Sequence, residues 1–231
     1  MRLISLVRRF ASRFARPAQW GGAAGWAVFA ALSPLPALAE DQAGRFDYYV
    51  MALSWSPNWC AIEGDRRNAP ECDGSRDLGW TLHGLWPQFE RGYPSDCLSP
   101  YPAPSRRMTR GMEDIMGASG LAWYQWNKHG ACAGLPAGEY FDLAREAYNS
   151  LTYPDVLERL RDPVRLPATL IEEAFLVENP QLTADGLTVT CRGDMIQEVR
   201  ICLTKDLEPR RCGADVIRDC ALDNALFTPV R

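Results

Sequence analysis

The stretch LTVTCRGDMIQEVRICL, Leu187 to Leu203, decides the fold class. Leu187 to Cys191 and Met195 to Leu203 are rich in β-branched and apolar residues and read as strands, and Arg192-Gly193-Asp194 between them is a turn. Upstream the pattern changes. Ala168 to Val177 reads as a helix. Glu139 to Leu151 repeats apolar residues at helical spacing, with Phe141, Ala144, Ala147, Tyr148 and Leu151 on one face. Leu121 to His129 reads as a helix stopped by Gly130, and Met108 to Met116 as a short helix. The three prolines between Ser99 and Ser105 mark a loop. Strand patterns return at Gly79 to Leu85, ended by Pro87, and at Phe46 to Ser54. With helices in the middle and strands at both ends, the expectation is α+β. A central, mainly antiparallel sheet packs against helices, in preference to alternating βαβ units.

The first 39 residues read as a removable leader. Five arginines precede any acidic residue, an apolar stretch from Ala23 to Leu38 is broken by Pro34 and Pro36, and Ala37-Leu38-Ala39 has the small residues of a cleavage site. A membrane anchor would need a run of about 20 apolar residues. The expected organisation is a signal peptide over 1–39 and one domain over 40–231. The expected location is the periplasm or the exterior, with no membrane association after cleavage.

The whole chain holds 25 basic and 29 acidic side chains; without the leader's arginines the balance is 20 against 29. Such a surface excludes nucleic-acid binding through a broad basic face, so any contact with a polyanion must be local. The eight cysteines all follow the leader. An even count in an exported chain points to disulfides, although 105 pairings are open to eight cysteines. With no Cys-x-x-Cys pair and two histidines, a zinc site is disfavoured, and no metal or other cofactor is expected.

The two histidines stand in unusual company. His83 lies in Trp80-Thr81-Leu82-His83-Gly84-Leu85-Trp86-Pro87, and His129 in Trp123-Tyr124-Gln125-Trp126-Asn127-Lys128-His129-Gly130-Ala131-Cys132. A structural histidine is the bland reading, but each precedes a glycine among tryptophans. RNA can be cut without a metal if one group takes the 2′-hydroxyl proton and another protonates the leaving 5′-oxygen. Two imidazoles, titrating near pH ~6.5, suit both tasks. A fixed cation would hold the charge of the pentavalent phosphorus, and Lys128 adjoins His129. On a helix, Gln125 and His129 share one face while Tyr124 and Lys128 form the next column.

These two segments, Thr81 to Pro87 and Tyr124 to Cys132, resemble the signature motifs of the ribonuclease T2 family. The resemblance extends through Asn179-Pro180-Gln181-Leu182-Thr183-Ala184-Asp185-Gly186 and spans roughly Tyr48 to Cys220. It implies an endoribonuclease leaving 2′,3′-cyclic phosphates, then 3′-phosphates, on single-stranded RNA with low base specificity. DNA, lacking the 2′-hydroxyl, would resist. It implies His83 as general acid, His129 as general base and Lys128 as transition-state cation, with Gln125 in the catalytic set. Trp86 would stack on a base, Tyr93 would assist, and Tyr124 would contact substrate. Trp80, Trp123 and Trp126 are expected in the core. It also implies the pairs Cys60–Cys72, Cys97–Cys132, Cys191–Cys220 and Cys202–Cys212, and the expected molecule is a monomer. Two departures stand out: the family's usual histidine is Tyr124 and its usual glutamate is Gln125. The alternative is therefore a catalytically weakened member that binds RNA or a protein. The charged stretches Glu63 to Arg67 and Lys205 to Arg211 read as solvated loops.

Overall fold

The computed structural model describes residues 41–231; the expected leader and its cleavage point lie outside them. Six strands form one mixed, mostly antiparallel sheet: β1 Tyr48–Trp55, β2 Trp80–Gln88, β3 Val164–Leu166, β4 Leu187–Arg192, β5 Met195–Leu203 and β6 Ala225–Phe227. β1 runs between β2 and β5, antiparallel to both, and β4 pairs with β5 as the expected hairpin. The helices are α1 Ser56–Trp59, α2 Arg106–Arg110, α3 Glu113–Met116, α4 Ser119–Lys128, α5 Ala137–Asn149, α6 Asp155–Glu158 and α7 Ala168–Glu178.

Alternation along the strands separates two faces. Met51, Leu53 and Trp55 of β1, Leu82 and Leu85 of β2, and Val199 and Ile201 of β5 all join the main apolar core with α4, α5 and α7. The opposite face carries Val50, Ala52 and Ser54 of β1, opposite Cys202, Arg200 and Glu198 of β5. α5 grips β2 at two points. Tyr140 Oη donates to the Leu85 carbonyl and Tyr148 Oη to the Trp80 carbonyl, each at 2.8 Å.

A bulge interrupts β2. Leu82 faces Leu53 and Gly84 faces Ala52, leaving His83 as the extra residue without a partner on β1. An extra residue lets two successive side-chain positions share a face, so His83 can share the non-core face with Gly84 and Trp86. β5 carries a similar bulge at Gln197, between the Glu198–Thr190 and Ile196–Cys191 pairs.

Several expectations need correction. β2 runs through Pro87 to Gln88, because β2 is an edge strand and the proline's missing N–H costs no ladder bond there. The helix expected over Met108 to Met116 is two, separated at Gly111 and Met112. α4 ends at Lys128, one residue early, because His129 has left helical geometry at φ −124° and ψ −48°. Gly130 answers a packing demand instead: a Cβ there would lie 2.7 Å from the Tyr140 ring and 2.9 Å from that of Trp126. The three-residue strands β3 and β6 are too short to leave a periodic signal.

The four disulfides are Cys60–Cys72, Cys97–Cys132, Cys191–Cys220 and Cys202–Cys212, as the resemblance implies. The second ties the loop after β2 to the turn after α4. The same turn is held by Gly44, whose N–H donates to the Cys132 carbonyl at 2.9 Å.

Candidate active site

His83 and His129 come from different elements yet line one cavity of about 410 Å³, with Trp86, Gln88, Tyr93, Lys128 and Arg200 among its walls. Trp86 touches both imidazoles: its ring centroid is 5.2 Å from that of His83 and 5.3 Å from that of His129. Tyr93, more than half exposed, is 5.8 Å from His129. The loop that carries Tyr93 is anchored on its N-terminal side, because Asp47 accepts the Glu90 N–H and Asp215 accepts the Gly92 N–H.

The two imidazoles have opposite surroundings. His129 is buried, and its Nδ1 has no hydrogen-bond partner among the described residues. Burial, reinforced by the positive charges of Lys128 and His83, pushes its pKa down to about 4. At neutral pH His129 is therefore an uncharged base. His83 is partly exposed, and its Nδ1 lies 2.6 Å from Glu198 Oε1. Glu198 is 2% exposed. Burial alone would raise its pKa, but the His83 hydrogen bond and charge, with Arg200, outweigh burial and bring it down to about 2. Arg200 Nε and Nη2 both donate to Glu198 Oε2, at 2.9 and 2.7 Å. The same guanidinium lies 5.4 Å from the Trp86 ring.

Gln125 is almost fully buried, and its Oε1 accepts the Trp86 indole N–H at 2.7 Å. Gly84 makes room for that bond: a Cβ on it would lie 2.3 Å from Trp86 Nε1 and 2.6 Å from Gln125 Oε1. Tyr124 is half exposed at the mouth of the same cavity, where its hydroxyl keeps the Lys128 ammonium above the usual lysine range. Trp80 and Trp126 lie in the core as expected. Trp123 does not. It is 52% exposed, because core contact on α4 goes through Ala122 and Trp126 instead.

A second cavity, of about 530 Å³, shares His83 and Tyr124 and is walled by Ser54, Glu71, Leu121 and Glu198. Glu71 is buried and its pKa raised by that burial, although the Ser56 hydroxyl donates to it at 3.3 Å. Among the described residues, three potential metal-ligand atoms converge at Cys60, Asp65 and Cys72, where both sulfurs are joined in a disulfide.

Glu198, Arg200, Gln88 and Glu71 escaped the sequence reading. The first two alternate with Val199 and Ile201, a pattern that looks like any half-exposed strand. Only with β1 seated between β2 and β5 do they come onto the face of His83.

Comparisons with known proteins show what the chain is similar to. The profile of the Ribonuclease T2 family matches residues 46–212. A protein of Aeromonas hydrophila named Ribonuclease is 36% identical over 183 residues, 73% of this chain and 76% of its own length. Ribonuclease I of Escherichia coli (strain K12) is 29% identical over 214 residues, 74% of this chain and 80% of its own. Among solved structures, trichomaglin, described as a novel S-like ribonuclease, superposes with a TM-score of 0.63 at 19% identity, over 81% of this chain and 100% of that one. RNase NT in complex with 5'-AMP gives 0.56 at 18% identity, over 80% and 98%. The chain belongs to the ribonuclease T2 family, as an endoribonuclease of T2 type.

Proposed function

We propose that the protein cuts single-stranded RNA by transphosphorylation, with His129 as the base, His83 as the acid and no need for a metal. The observation that carries this reading is the pairing, in one cavity, of an uncharged buried imidazole with one hydrogen-bonded to a carboxylate. Neutral His129 takes the proton from the 2′-hydroxyl. O2′ attacks phosphorus, the P–O5′ bond breaks, and protonated His83 gives its proton to O5′. A 2′,3′-cyclic phosphate and a 5′-hydroxyl result. In the slower second step His83 takes a proton from water and His129 returns one to O2′, leaving a 3′-phosphate. The Lys128 ammonium faces the charge that gathers on the phosphorane oxygens.

Trp86 and Tyr93 offer stacking surfaces, worth about 1–3 kcal/mol per base and tolerant of base identity, which supports low specificity. Lys128, Arg200 and Arg218 line this cavity, supplying cationic groups where the molecule as a whole is acidic. The complex of RNase NT with 5'-AMP is consistent with a nucleotide in such a site. Four disulfides suit an oxidising compartment, so the reading includes export as a monomer to the periplasm or beyond. Gln125 in place of the family's glutamate leaves Trp86 anchored through a neutral carbonyl, compatible with an active enzyme.

The test is cleavage of single-stranded RNA in excess EDTA, with the products followed by ³¹P NMR. Cyclic phosphate should accumulate first, 2′-deoxy substrates should stay intact, and His83→Ala and His129→Ala should each lose at least about a hundredfold in kcat. The acidic limb of the pH–rate profile should fall near pH 4, where His129 becomes charged. Chelator-sensitive cleavage, or an alanine variant close to wild type, contradicts the mechanism. RNA left whole by folded protein favours a binding role instead.

A further inference from the structure

The geometry points to Glu198 as the positioning residue for His83: its buried carboxylate, clamped by Arg200, fixes which ring nitrogen meets the scissile phosphodiester. The inference rests on the assignment of His83 as general acid.

The carboxylate is built to hold one arrangement. One oxygen faces His83 Nδ1 at 2.6 Å, and the other receives two N–H groups of Arg200. Being ionised, Glu198 can only accept, so Nδ1 must carry a proton and donate it. Nε2 is then the nitrogen that gains or loses the catalytic proton, as imidazolium donor in the first step and as acceptor in the second. Arg200 also keeps the buried anion from standing as an uncompensated charge, which would be strongly destabilising.

The sheet explains how the pair meets. Glu198 is opposite Ser54 on β1, whose other neighbour is Thr81 of β2. His83, the unpaired bulge residue two positions on, reaches across β1 toward β5. Ala52, between Gly84 and Arg200, keeps the surface low there. A bulge that re-aims a side chain has a purpose when a partner waits at the new position.

Other titratable groups face His83 at longer range. Glu71 faces it from the turn Pro70–Cys72, and His129 and Lys128 stand at the end of α4. The hydrogen bond to its ring is Glu198's. Removing that negative charge should therefore free Nδ1 from its role as obligatory donor and let the ring carry its proton on either nitrogen.

The experiment compares wild type with Glu198→Gln and Glu198→Asp. Glu198→Gln should lower kcat by at least about tenfold with KM nearly unchanged, and the His83 Nδ1–H signal should no longer persist at neutral pH in ¹H–¹⁵N spectra. Glu198→Asp should recover part of both, because charge is restored at a longer reach. A wild-type kcat and a persistent Nδ1–H in a folded Glu198→Gln variant overturn the proposal. So does a loss confined to KM. The wild-type protein gives an independent readout that needs neither a folded variant nor RNA cleavage. With two histidines in the chain, ¹H–¹⁵N spectra of the imidazoles resolve both rings. A His83 Nδ1–H that persists at neutral and mildly alkaline pH supports the pairing, and an unprotonated Nδ1 there refutes it. If the spectra show the pairing but RNA is never cut, the functional reading fails and the positioning geometry survives.

Discussion

At the scale of single residues, the signature around His83 has a steric logic. The glycine after the histidine lets the indole N–H reach the buried amide of Gln125, for which no β-carbon leaves room. Gly84→Ala should therefore break or displace that hydrogen bond and tilt Trp86 away from both imidazoles. The expected outcome is a kcat/KM at least about tenfold lower and a melting temperature only a few degrees lower, since a single hydrogen bond contributes about 0.5–1.5 kcal/mol. Activity equal to wild type would mean that the Trp86 ring position is immaterial. The histidines, Lys128, Trp86 and Tyr93 were legible in the sequence because each sits in or near a motif of rare residue types. Glu198 was not. A glutamate two positions before an arginine on a strand is common, and its meaning comes from partners far away in sequence.

At the scale of elements, the sequence announced those long enough to show a period. The β4–β5 hairpin, α5 and α7 form where their spacing says, whereas β3 and β6 are stitched on by tertiary contacts that no local pattern encodes. The end of α4 is the informative miss. Leaving helical geometry at His129 turns its ring from the column expected above Gln125, so the lysine and histidine reach the cavity from a helix end and a turn rather than from one helical face. That turn is a short 3-10 helix, Gly130–Ala133, and Cys97–Cys132 holds it. Replacing both cysteines by serine should cost about 2–4 kcal/mol of stability in urea titrations. It should also lower kcat more than removal of Cys191–Cys220, which ties β4 to the segment before β6. Equal effects of the two deletions on kcat would argue against a positional role for the first.

At the scale of the whole molecule, acid should be felt in two stages. His129 has a folded pKa of about 4, below the 6.5 of an unfolded chain, so between these values the unfolded state binds more protons. Stability then falls as the solution is acidified from about pH 6.5 to pH 4, by roughly 3 kcal/mol for this one group. Glu198, depressed from 4.5 to about 2, contributes stability that is complete above pH 4.5 and disappears as pH drops toward 2. Unfolding midpoints in urea should decline between pH 7 and 4.5 in wild type and stay nearly level in His129→Gln. Parallel declines in the two proteins would contradict the burial of an uncharged imidazole.

His83 and Glu198 are separated by 115 residues in sequence. Translation proceeds from the N-terminus, so both motif histidines emerge while the carboxylate that meets His83 is still unmade. A nascent or truncated chain can carry both histidine motifs and still lack the carboxylate to which His83 is hydrogen-bonded. The pairing of His83 with Glu198 thus waits until synthesis is nearly finished.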